Sequence, residues 1–185
     1  MIDNGRAAIV LDTGSVSRGS GNRGSNKEKD IRQKFVDKDW IEAVLLLPEN
    51  LFYNTTAPGI ILILNKNKPK GRKGTIILIN ASLEFEKGRP KNFIPDDKIR
   101  KIAKAFHDWK SIEKFTKIII NEEAVKNDYN LSPSRYVSNG KVEEYQDVKE
   151  ILVELAELEE ERTKTDKELN SIMKKIGYKG FLGQE

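Results

Sequence analysis

Phe52 and Tyr53 stand side by side in a polar, non-repetitive stretch, residues 51–58, that joins two apolar runs. A flat aromatic face is a surface on which a nucleobase can stack, a contact that contributes ~1–3 kcal/mol per base. Links between buried strands are also where α/β folds usually place their sites. A plainer role fits the same residues equally well: Phe52 can simply plug the end of a sheet.

Three further patterns could do chemistry. Gly19-Ser20-Gly21-Asn22-Arg23-Gly24 matches G-x-G-x-x-G, which cradles a pyrophosphate when it sits in the turn between a strand and a helix. Here a polar loop separates it from the preceding apolar run, so a mobile surface loop is expected, with Arg18 and Arg23 as candidate phosphate contacts. Lys66, Lys68, Lys70, Arg72 and Lys73 place five positive charges within eight residues. That run is either a solvated turn or a set of contacts that orient a nucleic acid by its phosphates without reading its sequence. On the second reading Lys66, Lys68, Arg72 and Lys73 touch the DNA backbone, and Lys87, Arg89, Lys91, Lys98, Arg100, Lys101 and Lys104 could extend the surface. The single histidine, His107, falls late in an amphipathic stretch and reads as a helix-boundary residue. Asp96 and Asp97 read as charges in the first turn of a helix.

The composition bounds these options. With no cysteine and one histidine among 185 residues, disulfide scaffolds, Cys/His metal sites and thiol- or His-dependent catalysis are excluded, and with them most hydrolase chemistry. A hydrophobic share of 37% and a charged share of 34% suit one globular domain with an appendage. No run approaches a membrane span, and the first residues lack the layout of a signal peptide, so a cytoplasmic protein with no membrane partner is expected. The net charge of +4 hides an asymmetry: Lys141–Glu185 holds 8 basic and 12 acidic residues, Met1–Gly140 holds 25 and 17. A basic body suggests a polyanion partner, and an acidic tail a protein partner.

The elements that must position these residues are legible as short apolar runs. Arg6-Ala7-Ala8-Ile9-Val10-Leu11, residues 41–47, 59–64 and 75–80 read as strands buried on both faces. The short connection between the last two favours an antiparallel hairpin with the basic turn at its tip. Ser25 and Glu28 fit a capping box opening a helix to about residue 38, with Ile31, Phe35 and Val36 inward. Residues 96–110 read as an amphipathic helix with Ile99, Ile102, Ala103 and Phe106 on its buried face. Residues 117–120 read as a short strand and 122–126 as a helical turn. From residue 147 to 176, Val148, Ile151, Leu155, Leu158, Leu169, Ile172 and Ile176 keep three- and four-residue spacing, a heptad seam with Arg162 and Thr165 at its middle. A strand so close to Met1 is odd for an open α/β sheet and suggests a chain that starts partway through a domain.

The order of pieces resembles one family. Gly5-Arg6-Ala7-Ala8-Ile9-Val10-Leu11, Ile31-Arg32, Ala43-Val44-Leu45-Leu46-Leu47-Pro48, Asn50-Leu51-Phe52-Tyr53, Thr55 and Pro58 carry the resemblance. Ile61-Leu62-Ile63-Leu64-Asn65-Lys66-Asn67-Lys68, Lys73-Gly74 and Ile79-Asn80-Ala81-Ser82 continue it. Phe85-Glu86-Lys87-Gly88-Arg89, Asp128-Tyr129-Asn130-Leu131 and Arg135-Tyr136 complete it. Over residues 2–137 the chain resembles the C-terminal half of the modification subunit of type I restriction–modification systems, which are N6-adenine DNA methyltransferases that use S-adenosylmethionine.

The resemblance implies an α/β fold: the later strands and reversed hairpin of a Rossmann-like methyltransferase sheet over residues 1–139, then a helical association tail over 140–185. It implies that Phe52 contacts a flipped-out adenine, which must leave the duplex for methyl transfer, while Tyr53 and Thr55 shape the pocket. Asn54 stands where the family usually has glycine. The family's D-P-x-x-G-x-G and N-P-P-[FY] segments are absent, so no catalytic, metal or cofactor-binding residue is assigned here. S-adenosylmethionine belongs to the complete subunit, and both segments are expected upstream of Met1. The implied partners are DNA, the specificity and restriction subunits, and a separate N-terminal methyltransferase chain if the gene is split. Ile151, Leu155, Leu158, Leu169 and Ile172 are the candidate docking residues, packed by resemblance on the specificity subunit. A different class also fits: a non-catalytic DNA-binding or assembly module, or a remnant of such a subunit.

Overall fold

The apolar runs become the strands of one mixed sheet. The computed structural model describes residue 2 and residues 4–22, 26–138 and 148–175. Among them are β1 (Arg6–Asp12), β2 (Ile41–Leu46), β3 (Gly59–Asn65), β4 (Thr75–Asn80) and β5 (Thr116–Ile120), in the order β1-β3-β2-β4-β5. β2 and β4 are parallel; β3 is antiparallel to β1 and β2, and β5 to β4. The helices are α1 (Lys27–Asp37), α2 (Asp96–Asp108), α3 (Asn121–Lys126), α4 (Pro133–Tyr136) and α5 (Val148–Lys175).

Side chains alternate between two cores, as the two-residue period of a strand requires. Val44, Leu46, Ile76 and Leu78 pack on one face with Val36 of α1, Ala124 of α3 and Leu131. Ala43, Leu45, Ile77 and Ile79 pack on the other with Ile102 and Ala105 of α2 and with Phe115. Both faces of β2 and β4 are covered, which is why these segments read as unbroken apolar runs.

Several expectations are corrected. β1 is an edge strand, not a doubly buried one: Ile9 and Val10 are exposed. β3 and β4 do not form a hairpin. β2 lies between them, so the reversed strand pairs with β1 and β2 while the connection after β3 passes across the end of β2. Asn26 caps α1, accepting from the amides of Glu28 and Lys29 at 3.1 and 3.3 Å; Ser25 lies outside the described residues. Arg32 replaces Ile31 on the buried side of α1, and Ala105 joins Ile102 beneath α2 while Ile99 and Ala103 face solvent. α2 ends at Trp109, which takes the left-handed conformation.

The chain divides into two compact units, Met1–Gly140 and Lys141–Glu185. In the second, α5 runs for 28 residues. Leu155, Leu158, Leu169 and Ile172 are exposed on it; Ile151 falls on the helix, but its side chain is outside the described residues. Among the described residues no helix is long and apolar enough to cross a membrane.

Candidate functional site

Strand direction sorts the candidates onto the two opposite ends of the strands. Asp12 pairs with Gly59, Leu46 with Ile60 and Asn80, and Ile79 with Thr116, so the segments after β1, β2 and β4 meet at one end. Residues 51–58 lie there. Asn65 pairs with Arg6, and Thr75 with Ile120, so the basic turn lies at the other end. The seven residues of β3 separate the two by about 20 Å.

The aromatic loop is held closed. Leu47 N–H donates to Gly59 O at 2.9 Å, extending the β2–β3 pairing. Asn50 adopts a left-handed conformation, φ 57°, which asparagine tolerates better than most residues. Its amide donates to Thr56 O at 2.8 Å. Thr55 Oγ1 accepts from the Ala57 amide at 3.0 Å. A second segment braces the loop from outside: Lys91 Nζ donates to Asn50 Oδ1 at 2.9 Å and to Thr55 O at 3.3 Å. Asn92 donates from its backbone to Asn50 O at 2.9 Å and from Nδ2 to Glu49 O at 3.0 Å.

On this frame Phe52 is half-buried and Tyr53, Asn54 and Thr55 are exposed, Tyr53 to 83%. The Phe52 ring lies over Gly59 so closely that a Cβ there would come within 2.8 Å of it. The Cε2 and Cζ atoms of the ring therefore plug the sheet end while the side chain stays partly exposed. The two roles read from the sequence are compatible. Asn54 is outside the left-handed region, so the backbone does not require a glycine at that position.

The described part of the Gly-rich loop is tied down by hydrogen bonds. Buried Arg32 donates to Tyr129 O at 3.0 Å, Ser15 O at 3.0 Å, Arg18 O at 2.6 Å and Ser20 Oγ at 2.9 Å, gathering residues 15–20 around one guanidinium. Burial pushes the Arg32 pKa down, and the nearby carboxylates of Glu28 and Asp128 oppose the shift. The Gly21 amide donates to Asp128 Oδ2 at 2.6 Å, and Lys29 pairs with the same carboxylate at 2.5 Å. The Lys29 hydrogen bond, then the Gly21 amide, hold the Asp128 carboxyl below the usual range. Arg18 bridges Asp12 and Glu28 at the surface. Arg23 lies outside the described residues.

The basic turn also divides. Lys68 is buried, its Nζ 2.6 Å from Asp39 Oδ1 and 2.8 Å from Thr75 O, with desolvation lowering its pKa against the pull of Asp39. Arg72 donates to Glu42 Oε1 and to His107 O, both at 3.1 Å, and lies 4.2 Å over the Trp109 ring. Neither cation is offered to a partner. Their carboxylate partners, half-buried Asp39 and buried Glu42, are distant in sequence. Lys66 lies 5.4 Å over the ring of Trp40, and Lys70 and Lys73 are exposed.

Sequence reasoning missed the brace. Lys91 entered only as a surface charge and Asn50 only within a motif; the left-handed turn that makes Asn50 a bracket had one signal, a polar residue just ahead of the aromatic pair. Lys87 and Arg89 are exposed on the segment that carries Lys91.

Residues 1–145 match the family model described as N-6 DNA Methylase. The chain belongs to the N-6 DNA methylase family. It is similar to the type I restriction enzyme MjaVII methylase subunit of Methanocaldococcus jannaschii, at 48% identity over 94% of this chain and 28% of that protein. It is also similar to the MjaVIII methylase subunit of the same organism, at 51% identity over 84% of this chain and 26% of that one. Among solved structures, the type I restriction-modification methyltransferase subunit from Streptococcus thermophilus matches at 40% identity and TM-score 0.66, over 74% of this chain and 27% of that chain. The chain thus spans between a quarter and a third of the length of these relatives. The expected α/β fold of the Rossmann-like methyltransferase kind is the one observed.

N-6 DNA methylases use S-adenosylmethionine as a family, and the described part of this chain's glycine-rich loop does not fit it. The one glycine-rich loop is filled from within by Arg32. A Cβ at Gly14 would meet the Arg18 guanidinium at 2.5 Å, and Asp12 is already bonded to Gly14 N and Arg18. No step of the methylase reaction is assigned to this loop.

Proposed function

We propose that this chain supplies the target-base loop of a DNA methyltransferase that transfers methyl from S-adenosylmethionine to adenine N6 in a type I restriction–modification system. The observation that supports it is Phe52 with Tyr53, presented beyond the carboxyl ends of parallel strands on a loop braced by Lys91 and Asn92. Phe52 stacks on the flipped adenine, Tyr53 and Thr55 close the pocket around it, and Asn54 lies at its rim. Lys87 and Arg89 take the phosphates nearby in place of Lys68 and Arg72. Lys66, Lys70 and Lys73 lie too far along the sheet to share that contact. The outer edge of β1, with Ile9 and Val10 exposed, receives the part of the enzyme that carries the cofactor and N-P-P-[FY] segments. DNA and the specificity and restriction subunits are its partners.

The test is methylation by this chain mixed with a segment carrying those two motifs and a specificity subunit. Phe52→Ala is expected to lower turnover about ten- to a hundredfold, the equivalent of one lost stacking contact. The chain alone is expected neither to bind S-adenosylmethionine nor to methylate DNA. A mixture that binds DNA yet stays inactive with wild-type Phe52 makes the chain a non-catalytic assembly module.

A further inference from the structure

Residues 131–137 are stitched across the ends of the strands that carry the aromatic loop. The Leu131 amide donates to Val16 O at 2.9 Å, and Val16 follows β1, whose last residue, Asp12, pairs with Gly59 at one stem of the loop. Asn80 Nδ2 donates to Val137 O at 3.0 Å, and Asn80 pairs with Leu46 at the other stem. From β1 to β4 the segment crosses three strand spacings, about 14 Å. Leu131 and Tyr136 pack on the sheet face that holds Val36 and Ala124. Ala81 and Ile94, which flank the segment carrying Lys91, pack on the opposite face. The aromatic loop is thus bordered from both faces of the sheet.

Most of residues 131–137 are tied down. Leu131, Pro133 and Val137 are buried, Asn130 Oδ1 accepts from the Ser132 amide at 3.0 Å, and the Tyr136 hydroxyl donates to Asn130 O at 2.7 Å. Arg135 differs. Its backbone amide is fixed to Ser132 O at 3.0 Å, but its guanidinium is exposed and has no partner among the described residues. A rigid turn that holds an unpaired arginine at the strand ends keeps a planar, permanently charged fork ready for an oxyanion.

We propose that Arg135 binds a DNA backbone phosphate beside the target adenine, from the sheet face opposite the one that supplies Lys91. DNA is favoured over an acidic protein surface because the body that carries Arg135 is itself basic, with 25 basic against 17 acidic residues over Met1–Gly140. The contact rests on the base-loop reading, which brings the duplex to this end of the strands. Phosphate contacts position a duplex without reading it. Arg135 therefore fixes where the extruded base arrives, not which sequence is chosen.

The test is DNA binding over a salt series by this chain assembled with the segment carrying the two motifs and a specificity subunit. Arg135→Gln is expected to lower the slope of log Kd against log salt concentration by about 0.9, the loss of one phosphate contact, and equally for target and unrelated duplexes. Arg135→Lys, which keeps the charge, retains the slope, as does Lys73→Gln at the other end of the strands. An unchanged slope in Arg135→Gln overturns the proposal. So does an equal fall in Lys73→Gln, which marks a general effect of net charge. Loss of the specificity subunit from the Arg135→Gln assembly also overturns it, by assigning Arg135 to a protein contact. The base-loop reading fails separately: if Phe52→Ala leaves methylation unchanged while the Arg135→Gln slope still falls, the phosphate contact stands and the stacking role does not.

Discussion

Lys91 Nζ lies 2.9 Å from Asn50 Oδ1, a bond across 41 positions of sequence that ties the segment after β4 to the loop after β2. It holds the left-handed residue two positions upstream of the aromatic pair. Replacing Lys91 by Met removes this bond and the one to Thr55 O without touching Phe52. Amide exchange at Asn50 is expected to speed up about tenfold, the effect of one hydrogen bond to a charged group. The Gln variant, which restores a donor of shorter reach, recovers part of it. Unchanged exchange in the Met variant assigns the bracing to Asn92 alone.

Glu42 carries a second prediction. Its carboxylate is wholly buried in β2 and accepts from Arg6 at 2.7 Å, Asn65 at 3.1 Å and Arg72 at 3.1 Å. Glu42→Ala strands these donors and is expected to cost about 3–5 kcal/mol in chemical denaturation, as for other buried charge pairs. A loss below about 1 kcal/mol would mean that water already reaches the pocket.

Gly59→Ala is expected to displace the Phe52 ring, because the new Cβ arrives 2.8 Å from it. The ring can swing outward, so the stability change is small. Under the proposed function, methylation falls with little change in melting temperature; a fall in both to the same degree would mark Gly59 as a purely structural residue.

Tyr136 has its pKa pushed up to about 12, by burial first and by Glu123 second, and its hydroxyl donates to Asn130 O at 2.7 Å. The folded chain holds this proton more tightly than the unfolded chain, whose tyrosine ionises near pH 10. The stability it contributes is fully present below that pH and is lost as pH rises toward 12. Alkaline unfolding followed by circular dichroism is expected to show a slope over this window that Tyr136→Phe flattens.

Much of the fold was legible because its chemistry is local. β2 and β4 are buried on both faces, and such strands write themselves as unbroken apolar runs. β1 carries the same kind of run, yet it lies at an edge, because burial depends on neighbours that a single strand cannot specify. The β3–β4 hairpin failed for a related reason: a short connection fixes direction but not adjacency, and β2 fits between the two strands. The aromatic pair was recognisable from residue type alone. Its brace was not, since Lys91 reaches Asn50 only after the chain has crossed β3 and β4. Lys68, Arg72 and Arg32 look like surface charges in the sequence. Asp39, Glu42 and the carbonyls of residues 15–18 draw them inward, and those partners are brought near by the tertiary fold.

The length of β3 has a consequence for how this chain can change over generations. Its two ends answer to different demands. Under the proposed function, damage around Asp39, Lys68 or Arg72 alters how much folded material a cell holds, whereas damage around Phe52 alters what that material does. Dose and identity are therefore separate traits here, free to drift and be repaired independently.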